Sequence, residues 1–314
     1  MLLIDLPGND PFFNLAVDEY LLKERKEDFL VIGSNSPSVI IGKHQVAHRE
    51  ADTSFINEHN IPVIRRISGG GTVFHDEGNL NFSFIIQSSE GKQVDFRKYT
   101  APVISFLDSL GVKAIFEGKN DLKVNGLKIS GNAEHVSRHR VLHHGTLLFS
   151  SDLRHLNSSL RKDKTGYLTR GVDSNPSAVA NIRDFLPGGK DIAFFRKEML
   201  DFFSAKKENS VVVLSPDELK SIAELAGTKY KSWEWNYAYG PEYSFRSVTG
   251  DTGAPVSVDL LVRSGMIIEC RIKGPGGYDP VAEKITGQRH MPENIKAILE
   301  EYNCFPEVNA VNFF

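Results

Sequence analysis

Apolar positions along the chain change period several times, and each change marks an element. Val17, Tyr20 and Leu21 recur at helical spacing within 14–27, which predicts a helix there. Phe29–Ile32 and Ser38–Ile41 are short apolar runs split by the turn cluster Gly33-Ser34-Asn35-Ser36-Pro37, so two strands are expected. From Leu80 to Gln87 the period is two. Leu80, Phe82, Phe84 and Ile86 point one way, and Asn81, Ser83 and Gln87 the other. Residues 101–110 read as a helix stopped by Gly111.

Three later helices are sharper. Phe195, Met199, Phe202 and Phe203 form one stripe over 192–205, a core stripe rather than a ligand box. Ser215-Pro216-Asp217-Glu218 is a capping box opening a helix whose apolar face is Leu219, Ile222, Ala223 and Ala226, with Gly227 as its expected stop. Ile295, Ile298, Leu299 and Tyr302 fit a helix over 292–302. Tyr239-Gly240-Pro241 breaks regular structure. Beyond it a strand near Phe245 and a hairpin, Val256–Leu260 with Met266–Cys270, turning at Arg263-Ser264-Gly265, predict a small α+β unit. The expected division is 1–240 and 241–314, in an α/β protein with a smaller second unit.

Composition narrows the function classes. The 314 residues carry 37 basic and 40 acidic side chains, a net charge of -3, so there is no basic surplus for nucleic acid or an anionic membrane. No apolar run approaches a membrane span, and Met1–Asp5 lacks the basic start of a signal peptide. Two cysteines, Cys270 and Cys304, exclude a disulfide framework and a multi-cysteine zinc site, and point to a reduced cytoplasmic setting.

Three motifs carry candidate chemistry. In Arg65-Arg66-Ile67-Ser68-Gly69-Gly70-Gly71-Thr72-Val73-Phe74, three glycines allow close backbone approach, and two arginines offer charge to a phosphate or carboxylate. No P-loop lysine follows. Behind it, Asn79, Asn81 and Ser83 share a strand face. Asn125-Gly126 is a hairpin signal. A two-residue turn there pairs Lys123 with Lys128 and Asp121 with Ser130. It puts Leu122, Val124, Leu127 and Ile129 on a core face, and Asp121, Lys123, Lys128 and Ser130 on the other. Asp121 then lies within reach of Lys128, or of a metal. In His143-His144-Gly145-Thr146, alternation sends His144 and Thr146 to one face and His143 to the opposite one.

Together these stretches resemble the lipoate–protein ligase family: RR-x-SGGGTVFHD-x-GNLN-x-S from Arg65 to Ser83, ND-L…G-x-KISG-x-A from Asn120 to Ala133, and HHGTLL from His143 to Leu148. Asn14–Glu19 and Trp233–Asn236 are further landmarks. The resemblance implies a large mixed-sheet domain, of the fold shared with biotin ligases, and a C-terminal accessory domain. It implies ATP, Mg2+ and lipoate giving lipoyl-AMP, then transfer to a lysine of a 2-oxo-acid dehydrogenase lipoyl domain or of the glycine-cleavage H protein. By the same resemblance Arg66, Gly71, Thr72, Val73, Phe74 and Lys128 bind ATP. Ser68, Gly69, Gly70, Gly131, Ala133 and His144 join Lys128 around lipoate, with Lys128 catalytic and Asp121 on the metal. Gly42–Val46 and Ser174–Val179 depart from the family pattern, which bears on loop contacts and acceptor choice. The alternatives are an octanoyltransferase of the same fold, using a cysteine thioester without ATP, and a silent lipoate-binding module.

Overall fold

The computed structural model describes residues 1–88, 95–249, 255–302 and 308–314. An eight-stranded mixed sheet forms its centre, in the order 210–211, 2–5, 29–33, 79–87, 140–148, 127–137, 121–124 and 115–117. The first two pairings are parallel and the rest antiparallel. Helices cover both faces, which suits strands as apolar as Phe29–Gly33. Helices Phe96–Ser109 and Ile192–Ser204 bring Val103, Phe106, Phe195 and Met199 onto Leu30, Phe82 and Phe84 on one face. Helix Pro11–Glu24 brings Leu15, Ala16 and Leu21 onto Val31, Ile85 and Leu142 on the other. A second sheet, Val63–Arg65, Ser38–Ile41 and Val73–His75, stands beside it.

Several boundaries differ from the periodicity. The first helix starts at Pro11, because Asp10 accepts hydrogen bonds from the backbone N–H groups of Phe12 and Phe13 at 2.8 and 3.3 Å. The second long helix begins at Phe96, capped by Asp95 on the Lys98 N–H, and holds Pro102 inside it. Gly227 does not stop its helix. The chain continues as π-helical turns over Ala226–Tyr230 and again over Glu234–Ala238. The wider turn carries Tyr230 inward, where its hydroxyl donates to Glu19 at 2.7 Å.

The C-terminal unit has the expected strand and hairpin, Tyr243–Thr249, Val256–Arg263 and Met266–Lys273, backed by helices Asp279–Ile285 and Pro292–Glu301. Its fourth strand is Tyr167–Thr169, antiparallel to Tyr243–Phe245, so a segment before position 240 belongs to this sheet. At the junction, His48 Nε2–H donates to the His290 carbonyl at 2.7 Å, and the His290 ring stacks on Phe314. Cys270 lies partly buried against this core, while Cys304 falls outside the described residues. No helix among the described residues is long and apolar enough to cross a membrane.

Candidate active site

The two arginines of the glycine motif separate. Arg65 ends its strand and is fully buried away from any ligand space. Its guanidinium donates to the carbonyls of Gly42, Lys43, Gln45, Trp235 and Asn236. Burial lowers it to about 10. The expectation that it offers charge to a ligand is therefore corrected: it pins the 42–45 loop to the 235–236 segment. Arg66 turns the other way. Nε donates to Ser68 Oγ at 2.9 Å, Nη1 to the Ile40 carbonyl at 3.1 Å, and Nη2 to the carbonyls of Gly69 and Gly71 at 2.6 and 2.7 Å. Three of its donors thus shape the glycine loop and a fourth ties it to strand Ser38–Ile41, leaving an Nη1–H for a ligand oxygen. Gly70 bends the loop with φ +88. Its carbonyl lies where a Gly42 side chain would begin, 2.1 Å from an ideal Cβ.

A brace missed by the sequence reading holds the loop from outside. Gln45 Oε1 accepts from Gly42 N–H at 2.8 Å and Thr72 Oγ1 at 2.9 Å, and Gln45 Nε2 donates to Ser174 Oγ at 3.0 Å. Ser174 Oγ accepts from Thr72 N–H at 2.8 Å and donates to buried Glu50. Lys164 closes the set, 2.8 Å from both Glu50 oxygens. Both departing segments, 42–46 and 174–179, supply this brace.

The Asn125-Gly126 hairpin forms, but a bulge shifts its register after Lys123↔Lys128, pairing Leu122 with Ser130 and Asp121 with Gly131. Ile129 is the extra residue. It, Leu122 and Val124 enter the core, whereas Leu127 is 37% exposed. Lys128 consequently joins the face of Gly131, whose absent Cβ would meet Lys128 Cε at 3.1 Å and Nζ at 3.2 Å. Lys128 Nζ is 2.8 Å from Asp121. Lys123 instead pairs with Glu117, and buried Ser130 accepts from Asn132 Nδ2, so neither accompanies Lys128 as the unbulged register required.

His144 faces the same space. Its Nδ1 is 3.2 Å from Asp18, itself held by Ser83 Oγ at 2.9 Å, and its Nε2 is 2.6 Å from Ser68 Oγ. His143 points to the opposite face, onto Glu134 at 2.9 Å. From helix Pro11–Glu24, Asn14 donates to Asn35, and Asn35 Nδ2 donates to His75 Nδ1 at 2.8 Å, leaving Nε2 to carry the His75 proton.

These side chains enclose one cavity of about 730 Å³. Arg66, Gly70, Gly71, Thr72 and Val73 form one wall; Asp121, Lys128, Gly131 and Ala133 form another; and Asp18, Ser83 and His144 line it too. Ser68, Gly69 and Phe74 stand behind the wall: Ser68 is buried beneath His144, and the Phe74 ring packs in the core of the smaller sheet. Among the described residues no cluster of three or more His, Cys, Asp or Glu forms a metal cage. A Mg2+ ion takes one or two carboxylates and completes its shell with substrate phosphates and water, and Asp121, on the cavity wall beside Lys128, would fit as one such carboxylate.

Burial also sets an acid limit on the fold. It holds His75 down to about 3, His290 to about 4, and His48 well below its ordinary value. Below about pH 6.5 the unfolded chain takes up protons that the folded chain refuses, so stability falls as pH falls. Each imidazole contributes about 1.4 kcal/mol per pH unit once well below that value. Urea midpoints should drop steeply between pH 7 and pH 5. A flat profile would contradict this.

Residues 10–204 match the lipoyl protein ligase A/B catalytic domain. The chain is 36% identical to lipoate–protein ligase 1 of Staphylococcus aureus over 302 residues, 94% of this chain and 92% of that protein. It therefore belongs to the lipoyl protein ligase A/B family. A lipoate-protein ligase A structure bound with ATP matches with a TM-score of 0.64 at 28% identity, covering 75% of this chain and 97% of that one. A Thermoplasma acidophilum ligase with bound lipoic acid matches at 0.62 and 28%, with the same 75% and 97% coverage. The T. acidophilum bi-partite ligase solved with its E2 lipoyl domain matches at 0.62 and 28%, covering 75% and 94%.

Proposed function

We propose that the chain ligates lipoate to protein in two steps driven by ATP. In the first, a lipoate carboxylate oxygen attacks the α-phosphorus of ATP, giving lipoyl-AMP and pyrophosphate. In the second, an acceptor lysine amine attacks the acyl carbonyl, forming the amide and releasing AMP. The observation that carries this reading is Lys128: a cation on a cavity wall, beside a glycine that makes room for it and next to Asp121. A compact ammonium there can bridge carboxylate and α-phosphate and stabilise charge that grows as the bond to pyrophosphate breaks. The glycine wall, shaped by Arg66, supplies backbone close to the adenylate. Mg2+ held by Asp121 would neutralise phosphate charge in the first step. The acceptor is a lipoyl domain of a 2-oxo-acid dehydrogenase or the glycine-cleavage H protein, in the cytoplasm. Residues 1–240 form the catalytic unit and 241–314 the accessory one, whose sheet also takes in strand Tyr167–Thr169. Pyrophosphate release that requires both ATP and lipoate tests the reading; release independent of lipoate, or none, overturns it.

The octanoyltransferase alternative needs a thiolate at the cavity. Cys270 lies on the accessory sheet, and burial pushes its thiol up to about 12. A Cys270→Ala, Cys304→Ala double mutant should keep full ATP-dependent lipoylation. A trapped acyl-cysteine, with activity lost and the fold intact, would favour the transferase.

A further inference from the structure

The charged side chains lining the cavity are nearly all committed. Arg66 is taken up by loop carbonyls, Lys128 by Asp121, and His144 by Asp18 and Ser68. Among the described residues, Lys119 is the one cation on the cavity wall with neither a hydrogen bond nor an ion pair. Its place is fixed by its neighbours rather than by its own contacts. It sits in the turn Gly118–Asn120 between the edge strands Ile115–Glu117 and Asp121–Val124. Gly118, with φ +69, makes that turn. Asn120 locks it to the next strand: its carbonyl accepts from Asn132 N–H at 3.0 Å and from Asn132 Nδ2 at 2.9 Å, and its own amide donates to the Asn132 carbonyl. The turn therefore holds an exposed, uncommitted ammonium two residues from Asp121.

We propose that Lys119 binds the β- and γ-phosphates of ATP and stabilises pyrophosphate as it leaves, an inference that rests on the ligation reading above. Adenylation brings a carboxylate and a triphosphate together, and the negative charge grows on the leaving end as the α–β bond breaks. Lys128 is engaged at the reacting centre, and Arg66 has little donor capacity left. An unpaired lysine acts on phosphate as a point charge, with no partner to give up first. The transfer step contains no pyrophosphate, so Lys119 matters to one half-reaction alone.

That asymmetry supplies the test. Lys119→Met and Lys119→Arg are compared with wild type in two assays: pyrophosphate release from ATP and lipoate, and transfer from pre-formed lipoyl-AMP to a lipoyl domain. Lys119→Met should lose at least about tenfold in kcat/KM for ATP in the first assay, the scale of one hydrogen bond to a charged group. It should change transfer less than twofold, and Lys119→Arg should recover most of the loss. Unchanged adenylation in Lys119→Met would overturn the proposal. So would a loss confined to transfer, which would make Lys119 a contact for the acceptor protein. Wild-type enzyme releasing no pyrophosphate would instead overturn the ligation reading itself.

Discussion

Lys128→Ala is expected to leave a folded protein that makes essentially no lipoyl-AMP. The side chain contributes little to the core, since its ammonium lies over Gly131 and its ion pair with Asp121 is partly exposed, at 21% and 20%. Its main chain is secured independently, by Lys128 N–H to the Ala178 carbonyl at 2.9 Å and Ala180 N–H to the Lys128 carbonyl at 3.0 Å. Removing the ammonium therefore removes charge at the reacting centre with little structural loss. Loss of one preorganised transition-state donor costs about 2.7–4 kcal/mol, a rate loss of about 10²–10³. Lys128→Arg should not restore activity, because a planar fork cannot occupy the space that Gly131 leaves for a compact head. Pyrophosphate release and urea unfolding, measured on the same preparations, check both halves. Near-normal adenylation by Lys128→Ala would refute the role.

Arg66→Ala should fail differently, through the loop. The guanidinium ties Ile40, Ser68, Gly69 and Gly71 together, and all four contacts are lost when it goes. Hydrogen bonds to a charged group are worth about 1.5–3 kcal/mol each, and they are not additive, so a stability loss on the order of 3–5 kcal/mol is expected. Binding of ATP and of lipoate should both weaken, since the same loop forms one wall of the shared cavity. Arg66→Lys should rescue little, because one ammonium cannot reach four acceptors spread around a planar fork. Calorimetric titration of each substrate, with a thermal melt, tests this. A stable Arg66→Ala protein that loses ATP affinity alone would show a simple phosphate contact instead.

The two arginines also show how far the sequence was legible. Their charge and place before the glycines were plain, and so was the glycine wall itself. Which arginine faces the ligand was not, because Arg65 is consumed by carbonyls of residues 42–45 and 235–236, far apart in sequence. Periodicity found helices 192–204 and 292–301 within a residue, since each has a clean apolar stripe. It misplaced the start of the first helix by three residues, where the Asp10-Pro11 cap outranks the apolar pattern. The Asn125-Gly126 turn was right and its register was not. Only the bulge at Ile129 swings Lys128 onto the Gly131 face, and no local residue type announces it. Ser174 and Glu50 were invisible as site residues because their role exists only once segments far apart in sequence meet.

Strand Tyr167–Thr169 changes what kind of object the C-terminal unit is. A unit tethered at one point swings freely, like a flail. This one is sewn to the larger body by three passages of chain: into Tyr167, out of Thr169, and through Tyr239–Glu242. Such stitching allows rocking and little else. The thread leaving Thr169 runs only three residues to Val172, at most roughly 11 Å of chain, and Val172 to Asn175 already line the cavity. Any rocking of the smaller sheet is thus pulled straight into the wall where Ser174 grips the Thr72 amide. Cutting the chain after Ala238 would leave that thread loose, with Leu168 and its neighbours bereft of the strand they pair with.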